Sequence, residues 1–360
     1  ITGVSHRAQP IRFYTFLWST FIFYYIYLRI EVLILSTKQK HIPCLITIFG
    51  ATGDLSHRKL FPSIFHLYQQ DNLDEHIAII GIGRRDYNNE QFRDQVKASI
   101  QTYVKDTDRI DEFMTHVFYH KTDVSDKESY QSLLQFSERL DSEFALGGNR
   151  LFYLAMAPQF FGVISDYLKS SGLTQTTGFK RLVIEKPFGS DLKSAESLNN
   201  QIRRSFKEEE IYRIDHYLGK DMVQNIEVLR FANAMFEPLW NNKYISNIQV
   251  TSSEILGVED RGGYYESSGA LKDMVQNHML QMVALLAMEA PISLKSEDIR
   301  AEKVKVLKSL RQLKPEEVNQ NFVRGQYGEG TINDQRVIAY RDEDRVASDS
   351  NTPTFVSGKI

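Results

Sequence analysis

The chain has 360 residues, with 46 acidic against 43 basic side chains and a formal net charge of −3. That length holds two domains and a sizeable core, and the absence of a basic stripe interleaved with aromatics excludes a charge-read nucleic-acid surface. A single cysteine, Cys44, rules out an internal disulfide framework and a cysteine-built zinc site, and it suits a reducing, cytoplasmic compartment.

Residues 13–28 form an uncharged, aromatic-heavy run between Arg12 and Arg29. It is short for a membrane span, which needs about 20 residues, and too aromatic for a typical signal peptide. A membrane anchor, an amphipathic partner helix and sequence foreign to the natural domain are the competing readings. The abrupt compositional break at Lys38–Pro43 favours the third, which makes 1–40 an anomalous apolar extension.

From Pro43 onward, short apolar runs alternate with helical stretches. Strands are predicted at 44–50, 77–83, 116–124, 149–158 and 180–189, with helices over 90–104, 127–140, 159–170 and 191–205. Leu60, Ile64 and Leu67 give the segment after the first strand a helical period. Such alternation implies a parallel sheet covered on both faces. A further short β-type run precedes Asp215. Beyond residue 220 the rhythm changes: a helix at 221–231, an antiparallel strand within 242–258, a loop at 261–269 and a strong helix at 270–288. Strand-like fragments at 322–327 and 335–340 lie in a polar C-terminal stretch. Two or three isolated strands make an incomplete sheet.

Gly50-Ala-Thr-Gly53-Asp-Leu follows a strand and opens a helix, the context of a dinucleotide-binding turn. Its spacing is G-x-x-G, so a tight turn without a ligand is the alternative. The second strand ends in Arg84-Arg85, where an acidic residue commonly holds a ribose hydroxyl. Arginine there favours a 2′-phosphate, hence NADP over NAD, against the plainer reading of a surface pair.

Residues 211–220, IYRIDHYLGK, place His216 and Lys220 four apart. A helical turn would point both cationic donors at one bound anion, most simply a phosphate, while the plain reading is a solvated loop. Glu185-Lys186-Pro187 ends the fifth strand, where open α/β sheets gather ligands, and Pro187 is a candidate for a cis bond. Asp273 and His278 are five apart, which spreads them by about 140° on an α-helix and sets them to flank a substrate. Met274, Met279, Met282 and Met288 read as core filler. Asp215 offers a carboxylate that would orient a base at His278 if the two meet.

The segments IFGATGDLSHRKLFPSIFHLY, YLAMAP, EKPFG, RIDHYLGKDMVQNI and GALKDMVQNH, in that order, resemble the bacterial type of glucose-6-phosphate dehydrogenase from about Ile42 to about Val356. The resemblance implies a Rossmann-like, doubly wound NADP-binding domain at 41–213. It also implies a partial α+β substrate and dimerisation domain at 214–360, with an antiparallel sheet. It assigns His278 as the base at the C1 hydroxyl and Asp215 as its orienting group. His216, Tyr217 and Lys220 would bind the sugar phosphate, and Lys186, Glu254 and Asp273 the sugar hydroxyls. Gly50, Thr52, Gly53, Asp54 and Leu55 would line the pyrophosphate and Arg84 the 2′-phosphate. Lys59 would stand near the junction of cofactor and substrate, with Lys186 shared between them. No metal is implied, the substrate is glucose 6-phosphate, and full-length members are homo-oligomeric. Both ends depart from the family pattern, so the expectation is a fragment with an exposed apolar face on the 270–288 helix, poor solubility and little activity.

Overall fold

The computed structural model describes residues 42–189 and 191–360, so the apolar run at 13–28 lies outside the described residues. Six strands form where the apolar runs predict them: β1 Cys44–Phe49, β2 Ile77–Gly83, β3 Val117–Lys121, β4 Arg150–Leu154, β5 Lys180–Ile184 and β6 Ile211–Arg213. They make one parallel sheet in the order β3-β2-β1-β4-β5-β6. The order reverses beside β1, which pairs with both β2 and β4, and a crevice opens there at the strands' C-terminal ends.

Alternation within β1 explains why it is buried throughout. Ile46 and Ile48 face a core with Phe61, Phe65 and Phe92, whereas Leu45 and Phe49 face a second core with Phe152 and Phe161. Helices Phe61–Gln69 and Asn89–Tyr103 cover the first face; Ser129–Phe144 and Phe161–Ser170 cover the second. Asn88 starts its helix with a reciprocal cap, its side chain accepting from Gln91 N–H at 2.8 Å. A Cβ at Gly81 would meet the Phe92 ring at 2.3 Å, so that glycine admits a fully buried phenyl. Burying such a ring contributes about 1.5–3 kcal/mol.

The second half is mostly helical. Helix Asp221–Phe231 packs with Leu280–Ala287 and Ser296–Ser309 around Tyr217, Val223, Met282, Leu285 and Met288. Two small antiparallel pairs follow, β7 Phe322–Gly325 with β10 Phe355–Gly358, and β8 Gly330–Ile332 with β9 Gln335–Val337.

Several expectations for this half are corrected. Residues 242–258 are not a strand: they open in a turn at 242–244 and continue without a ladder among the described residues, because no neighbouring edge accepts their backbone groups. The stretch 261–269 is helical, not a loop, since Gly262–Ala270 leads directly into the next helix and Gly269, at φ 61°, absorbs the bend. The apolar face of 270–288 is covered rather than exposed, with Met282, Leu285 and Met288 all within 3% of full burial. Met274 and Met279 pack against the same cluster, as filler. Tyr244, Ile248, Ile255 and Leu256, within 242–258, are among the exposed apolar side chains.

Candidate active site

The turn after β1 begins at Gly50, whose φ of 82° suits glycine. A Cβ there would also stand 2.3 Å from Ala155 O, so the turn can pass β4 only without a side chain. Gly50 and Ala51 N–H donate to Ile82 O, and Gly53 N–H and Ser56 Oγ both donate to Gly50 O at 3.0 Å. Thr52, Gly53, Asp54 and Leu55 thus lie at the open N-terminus of a helix, where free N–H groups favour an anion. Leu55 packs on the core, while Asp54 is exposed and pairs weakly with Arg58 at 3.5 Å.

Beside this turn lies a cleft of about 590 Å³ lined by Thr52, His57, Arg85, Tyr87 and Gln91. Its arginine is Arg85, anchored by Nη1 donating to Tyr87 Oη at 3.1 Å. Arg84, the sequence's candidate, is exposed at the strand end and does not line the cleft. Burial, and then the Arg85 charge, hold the His57 imidazole below its ordinary value. Lys59 is half-buried in the π-helical turn Ser56–Leu60, its ammonium lowered first by burial and then by Arg58. No contact is seen between Lys59 and the imidazole cluster described next.

That cluster forms where β5, the 215–220 segment and the π-helix Leu271–Met279 meet. His278 is fully buried, and its Nδ1–H donates to Asp215 Oδ1 at 2.5 Å. Burial works against the Asp215 carboxylate, but the hydrogen bond and charge of His278 outweigh it and leave the group below the usual carboxylate range. Asp215 also accepts from Tyr217 N–H at 3.0 Å, capping the short turn His216–Gly219. At the other ring nitrogen, Lys186 Nζ donates to His278 Nε2 at 2.7 Å and reaches Asp273 Oδ1 at 3.2 Å. The Lys186–Pro187 bond is cis.

Asp273 and His278 share the ammonium of Lys186 because the helix carrying them is a π-helix. With i→i+5 hydrogen bonds, a residue five positions on returns to nearly the same face. The expected 140° separation on an α-helix is therefore corrected. Tyr264 Oη, on the segment read as a loop, donates to Asp273 Oδ1 at 3.1 Å.

The expected one-turn alignment of His216 with Lys220 is also corrected. The turn is a 3-10 helix that ends at Gly219, and Lys220 has already left it at ψ 132°. The two are joined through Tyr217: the His216 ring lies 5.0 Å from the Tyr217 ring, and Lys220 Nζ sits 3.4 Å from its centroid. His216 is exposed, and desolvation of its ring, then the neighbouring charges of His278 and Lys186, lowers its imidazole from the ordinary value. Lys220 supplies a fixed positive charge to the candidate phosphate site.

Glu254 lies exposed in the 242–258 segment, and no hydrogen bond or ion pair joins it to Lys186 or His278. Asp215, His216 and His278 do present three donor atoms within 4.8 Å of one another, as a metal site would. The carboxylate and one imidazole nitrogen are already spent on each other, however, and an ammonium occupies the other nitrogen. Sequence reasoning missed Tyr153, whose Oη donates to Glu185 Oε1 at 2.6 Å, along with Tyr264 and Ser252. The Arg84-Arg85 doublet was the signal available for Arg85.

Comparison with known proteins identifies the family of the chain. Residues 47–225 match the family model "Glucose-6-phosphate dehydrogenase, NAD binding domain", and residues 227–360 match "Glucose-6-phosphate dehydrogenase, C-terminal domain". The glucose-6-phosphate 1-dehydrogenase of Bacillus subtilis is 61% identical over 315 residues, 88% of this chain and 64% of that protein. That of Streptococcus pneumoniae is 49% identical, over 87% of this chain and 63% of its own length. A solved structure of glucose-6-phosphate dehydrogenase in complex with its substrate glucose-6-phosphate superimposes with a TM-score of 0.80 at 38% identity, covering 89% of this chain and 65% of that one. The Mycobacterium avium enzyme gives 0.75 at 35%, covering 88% and 64%. The chain spans less than two thirds of the length of the relatives it matches. By these matches and by its sheet order, it belongs to the glucose-6-phosphate dehydrogenase family.

Proposed function

We propose that the chain carries the NADP- and sugar-binding apparatus of a dehydrogenase that oxidises glucose 6-phosphate at C1 to the 1,5-lactone. The observation that carries this reading is the continuous line Asp215–His278–Lys186, with the Tyr217 ring stacked on His278 and Lys220 over that ring. Asp215 fixes the tautomer in which Nδ1 bears the proton and Nε2 a lone pair. A sugar hydroxyl that displaces Lys186 from Nε2 would lie between a base and an ammonium. His278 Nε2 then takes the hydroxyl proton as hydride leaves the same carbon and the C–O bond becomes a carbonyl. Lys186, held by Asp273, steadies the oxygen as it gains charge. Lys220, His216 and Tyr217 would hold the phosphate, and Glu254 would join the hydroxyl ligands only if its segment moved inward.

NADP fits the first domain on this structure's own terms: a Cβ-free turn at Gly50, an open helix N-terminus over Thr52–Leu55, and a cleft with a cation at Arg85 and another at Arg84 nearby. The nicotinamide supplies the hydride acceptor when bound. Lys186 stands between the two ligand sites, and Lys59 would approach the cofactor side. A cytoplasmic setting is proposed from the single buried thiol of Cys44, which burial pushes up to about 12, and no described helix is long and apolar enough to cross a membrane. Exposed apolar side chains between Tyr244 and Leu256 support self-association with a further copy or segment.

The test is NADPH formation on adding glucose 6-phosphate and NADP to the purified chain. A second reading, coenzyme binding without turnover, is favoured by the unpaired 242–258 segment and the exposed Glu254. NADP binding without detectable NADPH formation would select it.

A further inference from the structure

The three groups at the heart of the candidate site are stacked. The Tyr217 ring lies on the His278 imidazole, with centroids 4.1 Å apart and planes 11° from parallel. Lys220 Nζ lies 3.4 Å from the same Tyr217 centroid. An ammonium and a parallel imidazole cannot both occupy the space over one face of a phenol at those distances. Lys220 and His278 therefore sit on opposite faces, and Tyr217 is the layer between them. The phenol is only 5% exposed and is held at its edge by Tyr217 Oη and Ser252 Oγ, 3.2 Å apart. Its backbone N–H is tied to Asp215, the carboxylate that also holds His278.

We propose that Tyr217 acts as a positioning residue whose ring couples the phosphate-gripping ammonium of Lys220 to the imidazole of His278. The inference rests on the reading of Lys220 as a phosphate ligand. The negative face of an aromatic ring is shared between whatever lies on its two sides. With Lys220 on one face, less of that density is available to an imidazolium on the other. A phosphate that draws Lys220 off the ring returns that density to the His278 side, at the moment when substrate brings a proton for Nε2 to take. Docking of the phosphate thus tightens the stack on the base. The ring face does this work, so the hydroxyl is dispensable to it and the aromatic is not.

The coupling is read directly from the ring resonances of His278 in the full chain labelled at histidine, assigned by their loss in His278→Asn. In the unsubstituted chain, saturating inorganic phosphate is expected to move these resonances. With phosphate raised to saturation for each variant, so that weakened affinity does not enter, Tyr217→Phe keeps the movement and Tyr217→Leu reduces it to less than about a third, in keeping with the loss of a cation–π and stacking partner. An undiminished movement in Tyr217→Leu, or its loss in Tyr217→Phe, would overturn the proposal. Because Tyr217 is buried and the leucine variant risks misfolding, Lys220→Met supplies a second arm with the ring left in place. Without any ligand, its His278 resonances should already be displaced from those of the unsubstituted chain, in the direction that phosphate moves them. If they coincide with the unliganded, unsubstituted positions, the ring carries no coupling. Failure of phosphate to bind the unsubstituted chain would instead remove the phosphate-site reading, while the ligand-free comparison would still decide whether the ring couples the two groups.

Discussion

His278 Nδ1 and Asp215 Oδ1 stand 2.5 Å apart although 63 positions separate them in the chain. The contact joins the short turn after β6 to the π-helix, so the base and its orienting group come from two elements that only the folded chain brings together. Asp215→Asn would leave a side chain of the same shape that can offer its amide N–H to Nδ1, which favours the wrong tautomer at Nε2. Where the chain turns over, kcat is expected to fall by about 10²–10⁴-fold with KM for the sugar phosphate changed far less. Steady-state kinetics measure both, and a proportional loss in KM alone would mean that the carboxylate serves binding.

Coenzyme preference follows from the two cations after β2. Both are exposed; Arg85 lines the cleft and donates to Tyr87, whereas Arg84 is its neighbour in sequence outside the lining. Replacing either by alanine should weaken NADP binding about 10-fold or more and leave NAD binding within about threefold, since only the 2′-phosphate needs the charge. Calorimetric titration with both coenzymes checks this. Equal losses for NADP and NAD would point to a role in packing instead of discrimination.

The parallel sheet was legible because its strands are buried on both faces and read as unbroken apolar runs, as β1 and β2 show. The constellation Asp215, Lys186, His278 was legible as residue types in motifs. Its geometry was not. The π-helix that places Asp273 and His278 against one ammonium leaves no periodic signature that separates it from an α-helix with apolar filler. Residues 242–258 failed for a different reason: alternation predicts a strand's faces, but a strand exists only where a partner supplies its ladder. Tyr264 was hidden by Gly262 and Gly263, which read as loop and are helical.

Acid should destabilise the chain from about pH 6.5 downward. Burial lowers the imidazoles of His116 and His120 from the ordinary value of 6.5. Below 6.5 the unfolded chain therefore binds more protons than the folded one, and stability, fully present above that pH, is lost as the pH falls. Glu112 adds to the same trend at lower pH. Hydrogen bonds from Arg109 and then Tyr68 hold it at about 2 against 4.5, so its contribution exists above 4.5 and disappears on further acidification. Thermal melts at pH 7.5 and 5.5 should show the lower Tm at 5.5, with a smaller difference in His120→Gln. An unchanged Tm across that interval would contradict the assignment of these rings as neutral.

Arg230 links the helix that follows the phosphate turn to the helix that follows the base. It is 6% exposed; Nη1 donates to Leu285 O at 2.5 Å and Nη2 to Met288 O at 2.6 Å, capping the C-terminal carbonyls of Leu280–Ala287. Its guanidinium also lies over the Phe231 and Trp240 rings, and Trp240 Nε1 donates to Leu286 O at 2.8 Å on the same helix end. Arg230→Met keeps most of the buried volume but leaves two carbonyls without their charged donor. Hydrogen bonds to a charged group contribute about 1.5–3 kcal/mol each, and part of that is offset because the buried cation itself no longer has to be desolvated. A net loss of about 2–4 kcal/mol is expected, seen as a fall of several degrees in Tm. Because α-helix Asp221–Phe231 begins at Lys220, phosphate affinity should weaken together with stability. Arg230→Lys separates the two effects: one ammonium can cap a single carbonyl but cannot span both, so it should recover only part of the Tm. Full recovery by lysine would show that charge alone, without the two-pronged clamp, holds these helices together.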